Sequence, residues 1–183
     1  MSITLQKDQT IDFYKAVIPI IVSVFAVYLT IGIALGILPK FVQQQLGFNT
    51  LIVGLVIGLQ FLSTLLTRAY SGKTTDTKGA KSSKMLGITF AIVAGIAYVL
   101  AVVFQANSVL ALSLLLLARI IHGIAESLLV TAALTWGITL VGPSKSGKVM
   151  TWNGIAMYAG IAIGAPLSIW ISGAYGYFPA FAI

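Results

Sequence analysis

Four stretches of this chain contain no charged residue at all: between Lys15 and Lys40, between Lys40 and Arg68, between Lys84 and Arg119, and after Lys148. A helix needs about 20 mostly apolar residues to cross roughly 30 Å of hydrocarbon at about 1.5 Å per residue. Every stretch is long enough. The first holds a span over 17–38 and the second a span over 51–69. The third exceeds one crossing and is interrupted by Gln105, Ala106, Asn107 and Ser108, which divides it into spans over 85–104 and 109–139. A fifth span covers 149–171, and a sixth begins at Tyr177 and is only partial over 177–183. The pattern predicts an all-α fold, a polytopic transmembrane helix bundle behind a cytoplasmic N-terminal segment over 1–15. The first span is too long for a cleaved signal sequence, whose apolar part runs about 7–15 residues. Composition agrees, with 8% charged residues against about 25% in soluble domains.

The net charge of +7 would point to nucleic acid in a soluble protein; here the cations mark topology. With the amino terminus inside, Lys7, Lys15, Arg68, Lys73, Lys78, Lys81, Lys84, Lys145 and Lys148 lie on the cytoplasmic side and Lys40 alone lies opposite. That is a positive-inside distribution. It predicts a multi-pass plasma-membrane protein with a lipid bilayer as its surroundings and no nucleic-acid partner. Cysteine is absent, which excludes disulfides and thiolate metal sites.

Helices in lipid associate through close packing and interhelical hydrogen bonds, so small residues four apart are packing signals. Gly32 and Gly36 form such a pair in the first span, and Gly54 and Gly58 in the second. In the fifth, Ala156, Gly160, Gly164, Ser168 and Ser172 form a smooth ridge, and Pro166 removes a backbone donor and should bend the helix.

Within the fourth span, Arg119, His122 and Glu126 fall at i, i+3 and i+7 and share one face. Arg119 lies about 15 Å into the span, near the bilayer midplane. An ionised side chain there costs about 2.5–3.5 kcal/mol on insertion scales, so such residues face a bundle interior or a wet cavity. Two readings stay open: an ion or substrate route, or an internal salt bridge that locks two helices. His122 is the only histidine, which leaves a metal site without further ligands. Gln60, Asn153 and Tyr158 are polar groups that either line a cavity or bridge helices.

Three segments resemble motifs of the major facilitator superfamily. The run from Arg68 through Gly72, Asp76 and Gly79 to Lys81 is similar to the signature loop between that family's second and third helices. The run Ala118, Arg119, Ile120, Ile121, His122, Gly123 is similar to its fourth-helix motif, and Gly160 to Pro166, through Gly164, to the fifth-helix motif associated with antiporters. All three occur in order. The closer likeness, over Leu66 to Ala69 and Ser127 to Pro166, is to the bacterial YhhS/YfcJ-type arabinose-efflux-like permeases. The chain departs from the motifs at Thr77 and Ala80, where basic residues are usual, and at Ala165, which separates Gly164 from Pro166.

The resemblance implies a secondary active transporter exporting a small solute in exchange for protons, with no cofactor and no enzymatic activity. In the loop, Arg68, Gly72, Asp76, Gly79 and Lys81 would form a gate, with Asp76 as the latch and the two glycines allowing a tight turn. Arg119 would tune the proton affinity of Glu126, with His122 beside them on the proton or substrate path. Family members have twelve spans in two halves, so the chain is expected to be the N-terminal six-helix half, cut within helix six and lacking its C-terminal partner. Two other classes are a small non-catalytic membrane subunit and a membrane-embedded enzyme; for the second, no serine–histidine pair or histidine-rich pattern is present.

Overall fold

A computed structural model describes the backbone of residues 2–182 and the side chains of residues 13–182. The side chain of Lys7 and residue Ile183, both part of the topology expected above, lie outside the described residues. The chain folds into α1 (Ser2–Lys40), α2 (Thr50–Lys78), α3 (Ala80–Val103), α4 (Ser108–Val141), α5 (Ser146–Tyr175) and the short α6 (Tyr177–Ala182). A π-helical turn, Phe41–Gln45, prolongs α1, and a 3-10 turn, Pro143–Lys145, precedes α5. No strand occurs among the described residues. Among the described residues, five helices are long and apolar enough to cross a membrane. Each extends past the minimal crossing, and α4, at 34 residues, would reach about 50 Å.

Short turns fold consecutive helices back on each other. The α2 and α4 helices each begin at an asparagine cap: Asn49 Oδ1 accepts from Ile52 N–H and Asn107 Oδ1 from Leu110 N–H, both at 3.1 Å. Gly79, Gly142 and Gly176 follow helix ends at φ of +83°, +85° and +86°, a conformation that a side chain would oppose. The hinge at Gly79 is a single residue, so the expected loop over 68–81 is instead the end of α2 and the start of α3. Hydroxyls explain why helix continues there: Ser71 donates to Ser127 of α4 at 2.8 Å, and Thr75 to Ser83 of α3 at 2.9 Å. Gly72 lies within α2 with open space around it and makes no turn.

The helices pack chiefly as α1 on α5, α3 on α4 and α2 on α4. On the first seam, a Cβ on Gly32 would come within 2.8 Å of the Ile161 backbone, and one on Gly160 within 2.8 Å of the Leu29 nitrogen. Gly160, Gly164 and Ser168 are buried along it, so this ridge is the close-approach surface that its spacing predicts. Gly54 and Gly58 differ: among the described residues nothing lies within 4 Å of where their Cβ atoms would be, so that pair makes no close helix contact there. Pro166 sits on the exposed side of α5, which runs unbroken through it. Large apolar side chains such as Leu65, Leu66 and Val109 cover the outside, at 70%, 71% and 70% exposure.

Candidate functional site

Among the buried polar side chains, α4 carries Arg119, His122 and Glu126 inward on neighbouring turns of one face. Gly123 makes this possible. A Cβ there would lie 2.7 Å from Ser63 Cβ, so its absence lets α2 and α4 close on each other. Ser63 then reaches the Ile120 carbonyl at 2.8 Å, and Thr64 the Gly123 carbonyl at 3.1 Å.

Arg119 is fully buried, and its guanidinium is spent on other helices. Nε donates to the Val56 carbonyl and Nη2 to the Ile57 carbonyl, each at 3.0 Å, while Nη1 donates to the Tyr98 hydroxyl at 3.4 Å. Carbonyl oxygens carry a second lone pair, so α2 keeps its helical bonding and still receives the fork. Among the described residues, no salt bridge joins Arg119 to Glu126. The two side chains are seven residues apart, about 10 Å along the helix, and each is satisfied by its own partners.

His122 completes a directed chain of hydrogen bonds. Thr30 gives its only hydroxyl hydrogen to the Val27 carbonyl at 2.7 Å, so towards His122 Nε2, 3.2 Å away, it is an acceptor. Nε2 therefore carries hydrogen. On the other side Tyr98, already accepting from Arg119, donates to His122 Nδ1 at 3.3 Å. This order fits a neutral imidazole in the Nε2–H tautomer, as inferred from its partners.

Among the described residues, Glu126 has only neutral hydrogen-bond partners. Tyr28 of α1 donates to Oε1 at 2.8 Å; Gln60 Nε2 and Thr64 Oγ1 of α2 donate to Oε2, each at 3.0 Å. Burying an ion costs several kcal/mol, and hydrogen bonds to a charged group return about 1.5–3 kcal/mol each. Gln60 Oε1 is buried beside this cluster with no partner among the described residues.

The remaining sequence candidates lie elsewhere. Arg68, Asp76 and Lys81 are exposed, Asp76 in the last turn of α2, and among the described residues it makes no ion pair. Gly160 and Gly164 belong to the α1–α5 seam. Asn153 is buried and donates to Met157 Sδ at 3.1 Å, whereas Tyr158 is 75% exposed. A cavity of about 660 Å³ opens between α1 and α3, with Thr30, Tyr98 and His122 among its few polar walls and Phe181 of α6 at its edge. His122 lines it, and Arg119 and Glu126 are not among its walls. Tyr28, Thr30, Thr64 and Tyr98 were not singled out from sequence. The signal was present, since a buried ion requires donors and acceptors from opposing helices and these are among the few polar side chains at the right depth.

Long helices with leucines outward and hydrogen-bonded polar groups inward define a multi-pass membrane protein. The chain belongs to the Major Facilitator Superfamily, a family of membrane transporters, which matches residues 15–183. It is 40% identical over 147 residues to the MFS-type transporter STM4428 of Salmonella typhimurium, covering 80% of this chain and 38% of that protein. It is 42% identical over 147 residues to the MFS-type transporter PA1993 of Pseudomonas aeruginosa, covering 80% and 37%. To the MFS-type transporter YhhS of Escherichia coli it is 39% identical over 153 residues, covering 84% and 38%. The aligned part thus spans under two fifths of the length of these relatives. No solved structure matches the chain.

Proposed function

We propose that the bundle is the proton-binding half of a secondary active transporter that exports a small solute across the plasma membrane, with its amino terminus in the cytoplasm. The observation that carries this is Glu126: among the described residues it is the only intramembrane carboxylate, buried at the meeting of α1, α2 and α4 and held by neutral donors. A carboxylate held this way takes up and releases a proton without breaking an ion pair. Its donors lie on two other helices, so relative movement of those helices changes its surroundings and links proton binding to conformation. Arg119 is the anchor of α2 and α3 on α4 in this scheme, and His122 joins that anchor to the cavity beside Thr30. Asp76, exposed near the single-residue hinge at Gly79, with Arg68 and Lys81 close in sequence, is the cytoplasmic latch; its partner would come from the facing half. The relatives' names support transport, and their greater length is consistent with a second bundle completing the solute path.

Everted membrane vesicles containing this bundle together with the second bundle that completes the solute path test this. With an inside-acid gradient, addition of a labelled pentose such as arabinose is expected to drive proton release and pentose accumulation, and Glu126→Gln to abolish the proton movement. Undiminished proton movement in Glu126→Gln removes Glu126 from the mechanism.

A further inference from the structure

We propose that Thr64 is the group that accepts the hydrogen bond of protonated Glu126, reversing its own hydrogen bond so that the site is satisfied in both protonation states. This rests on Glu126 being the proton site and adds the residue that makes that site reversible. Three acceptors surround the Thr64 hydroxyl: Glu126 Oε2 at 3.0 Å, the Gln60 carbonyl at 3.0 Å and the Gly123 carbonyl at 3.1 Å. A hydroxyl has one hydrogen and two lone pairs. Only one of the three contacts can therefore be a donated bond at any time, and the other two stand ready.

The neighbours differ in what they can do when a proton arrives on Glu126. Gln60 meets Oε2 through its amide nitrogen, which has no lone pair to offer. Rotating that amide would bring its oxygen round, but would place the NH₂ where Gln60 Oε1 now lies buried without a partner, stranding a donor. Tyr28 bonds Oε1, and among the described residues its hydroxyl hydrogen has no second acceptor, so accepting a proton would strand that hydrogen instead. Thr64 alone loses nothing. Its hydrogen swings to the Gly123 or Gln60 carbonyl, and its oxygen accepts the O–H of the carboxylic acid. One proton is added to Oε2, one hydroxyl rotates, and no heavy atom moves. Loss of the proton from Oε2 runs the same steps backwards.

The other titratable or charged groups around Glu126 do not compete. His122 and Arg119, one and two turns away on α4, are engaged with Thr30, Tyr98 and the α2 carbonyls. Arg68 and Tyr158 are near enough to act on the Tyr28 phenol but make no hydrogen bond to Glu126.

Infrared difference spectroscopy of the protein in lipid vesicles, titrated with acid, tests the assignment. The carboxylic-acid carbonyl band of Glu126 is the one that disappears in Glu126→Gln. In the wild type it is expected at the lower frequency of a hydrogen-bonded acid. Thr64→Val, which keeps the shape and removes the hydroxyl, is expected to shift it to the higher frequency of a free acid, and Thr64→Ser to restore it. A band that stays in place in Thr64→Val overturns the role of Thr64 and hands it to Gln60 after amide rotation. A free-acid band in the wild type overturns it without any variant at Thr64. If no band depends on Glu126 at any pH at which the protein stays helical, both this assignment and the proton-site reading fall.

Discussion

At the scale of single residues, the three polar side chains of α4 have divided labour that their shared face does not reveal. Arg119 is locked by three bonds to α2 and α3, whereas Glu126 is held by two hydroxyls and an amide, of which the Thr64 hydroxyl has other acceptors to turn to. Tyr98 links the anchor to the imidazole, accepting from Arg119 and donating to His122. Tyr98→Phe leaves a buried nitrogen unsatisfied on each neighbour and is expected to destabilise the bundle by about 1–3 kcal/mol. Arg119→Lys keeps the charge but loses the fork that reaches two carbonyls, with a loss of similar size expected. Because the two substitutions remove one shared bond, the double variant should lose less than the sum of the singles. Thermal unfolding of the four proteins in one detergent measures this, and strict additivity would separate Tyr98 from the Arg119 anchor.

At the scale of helices, glycines identical in spacing have opposite surroundings. Gly32 and Gly36 meet Gly160, Gly164 and Ser168 across α1 and α5, while Gly54 and Gly58 face open space on α2. Gly160→Val is expected to force α1 and α5 apart and cost about 1–3 kcal/mol or more; Gly54→Val should leave the fold of this bundle within about 1 kcal/mol of the wild type. Equal losses in thermal unfolding would contradict the seam. The sequence made the helices legible because long charge-free runs admit little else. It also made the α5 ridge legible, because five small residues on one face leave a groove that suits the close approach of a neighbouring helix. It could not say which pair of glycines finds a partner, since spacing is a property of one helix and contact a property of two. The polar cluster was half legible for the same reason: Arg119 and Glu126 stand out as ions in an apolar run, but the donors on α1, α2 and α3 are ordinary hydroxyls until the fold brings them together. The 68–81 segment misled in a different way. Two glycines with charges around them look like a loop, yet hydroxyl bonds from Ser71 and Thr75 keep α2 helical up to Gly79.

At the scale of the whole molecule, the short turns force an alternation that gathers the cations at one end of the bundle. Lys148, in the first turn of α5, lies 4.4 Å from the Phe13 ring and 4.7 Å from the Tyr14 ring near the start of α1. Lys84, in the first turns of α3, lies 5.2 Å from the Trp136 ring near the end of α4. Lys40 sits at the opposite end of α1. Positive charge is retained on the cytoplasmic side during insertion, so the end bearing Lys84 and Lys148 should be the inner one. The absence of cysteine makes this directly measurable, because each introduced cysteine is the only thiol. Ser82 and Ser144 are exposed at the cation-rich end, and Ala106 is exposed in the turn at the other. In intact cells, an impermeant maleimide is expected to label Ala106→Cys and to leave Ser82→Cys and Ser144→Cys unmodified until the membrane is permeabilised. The reverse pattern would place Asp76 and the Gly79 hinge outside. A latch on the cytoplasmic face would then be impossible, although the proton site at Glu126, buried between both ends, would stand unchanged.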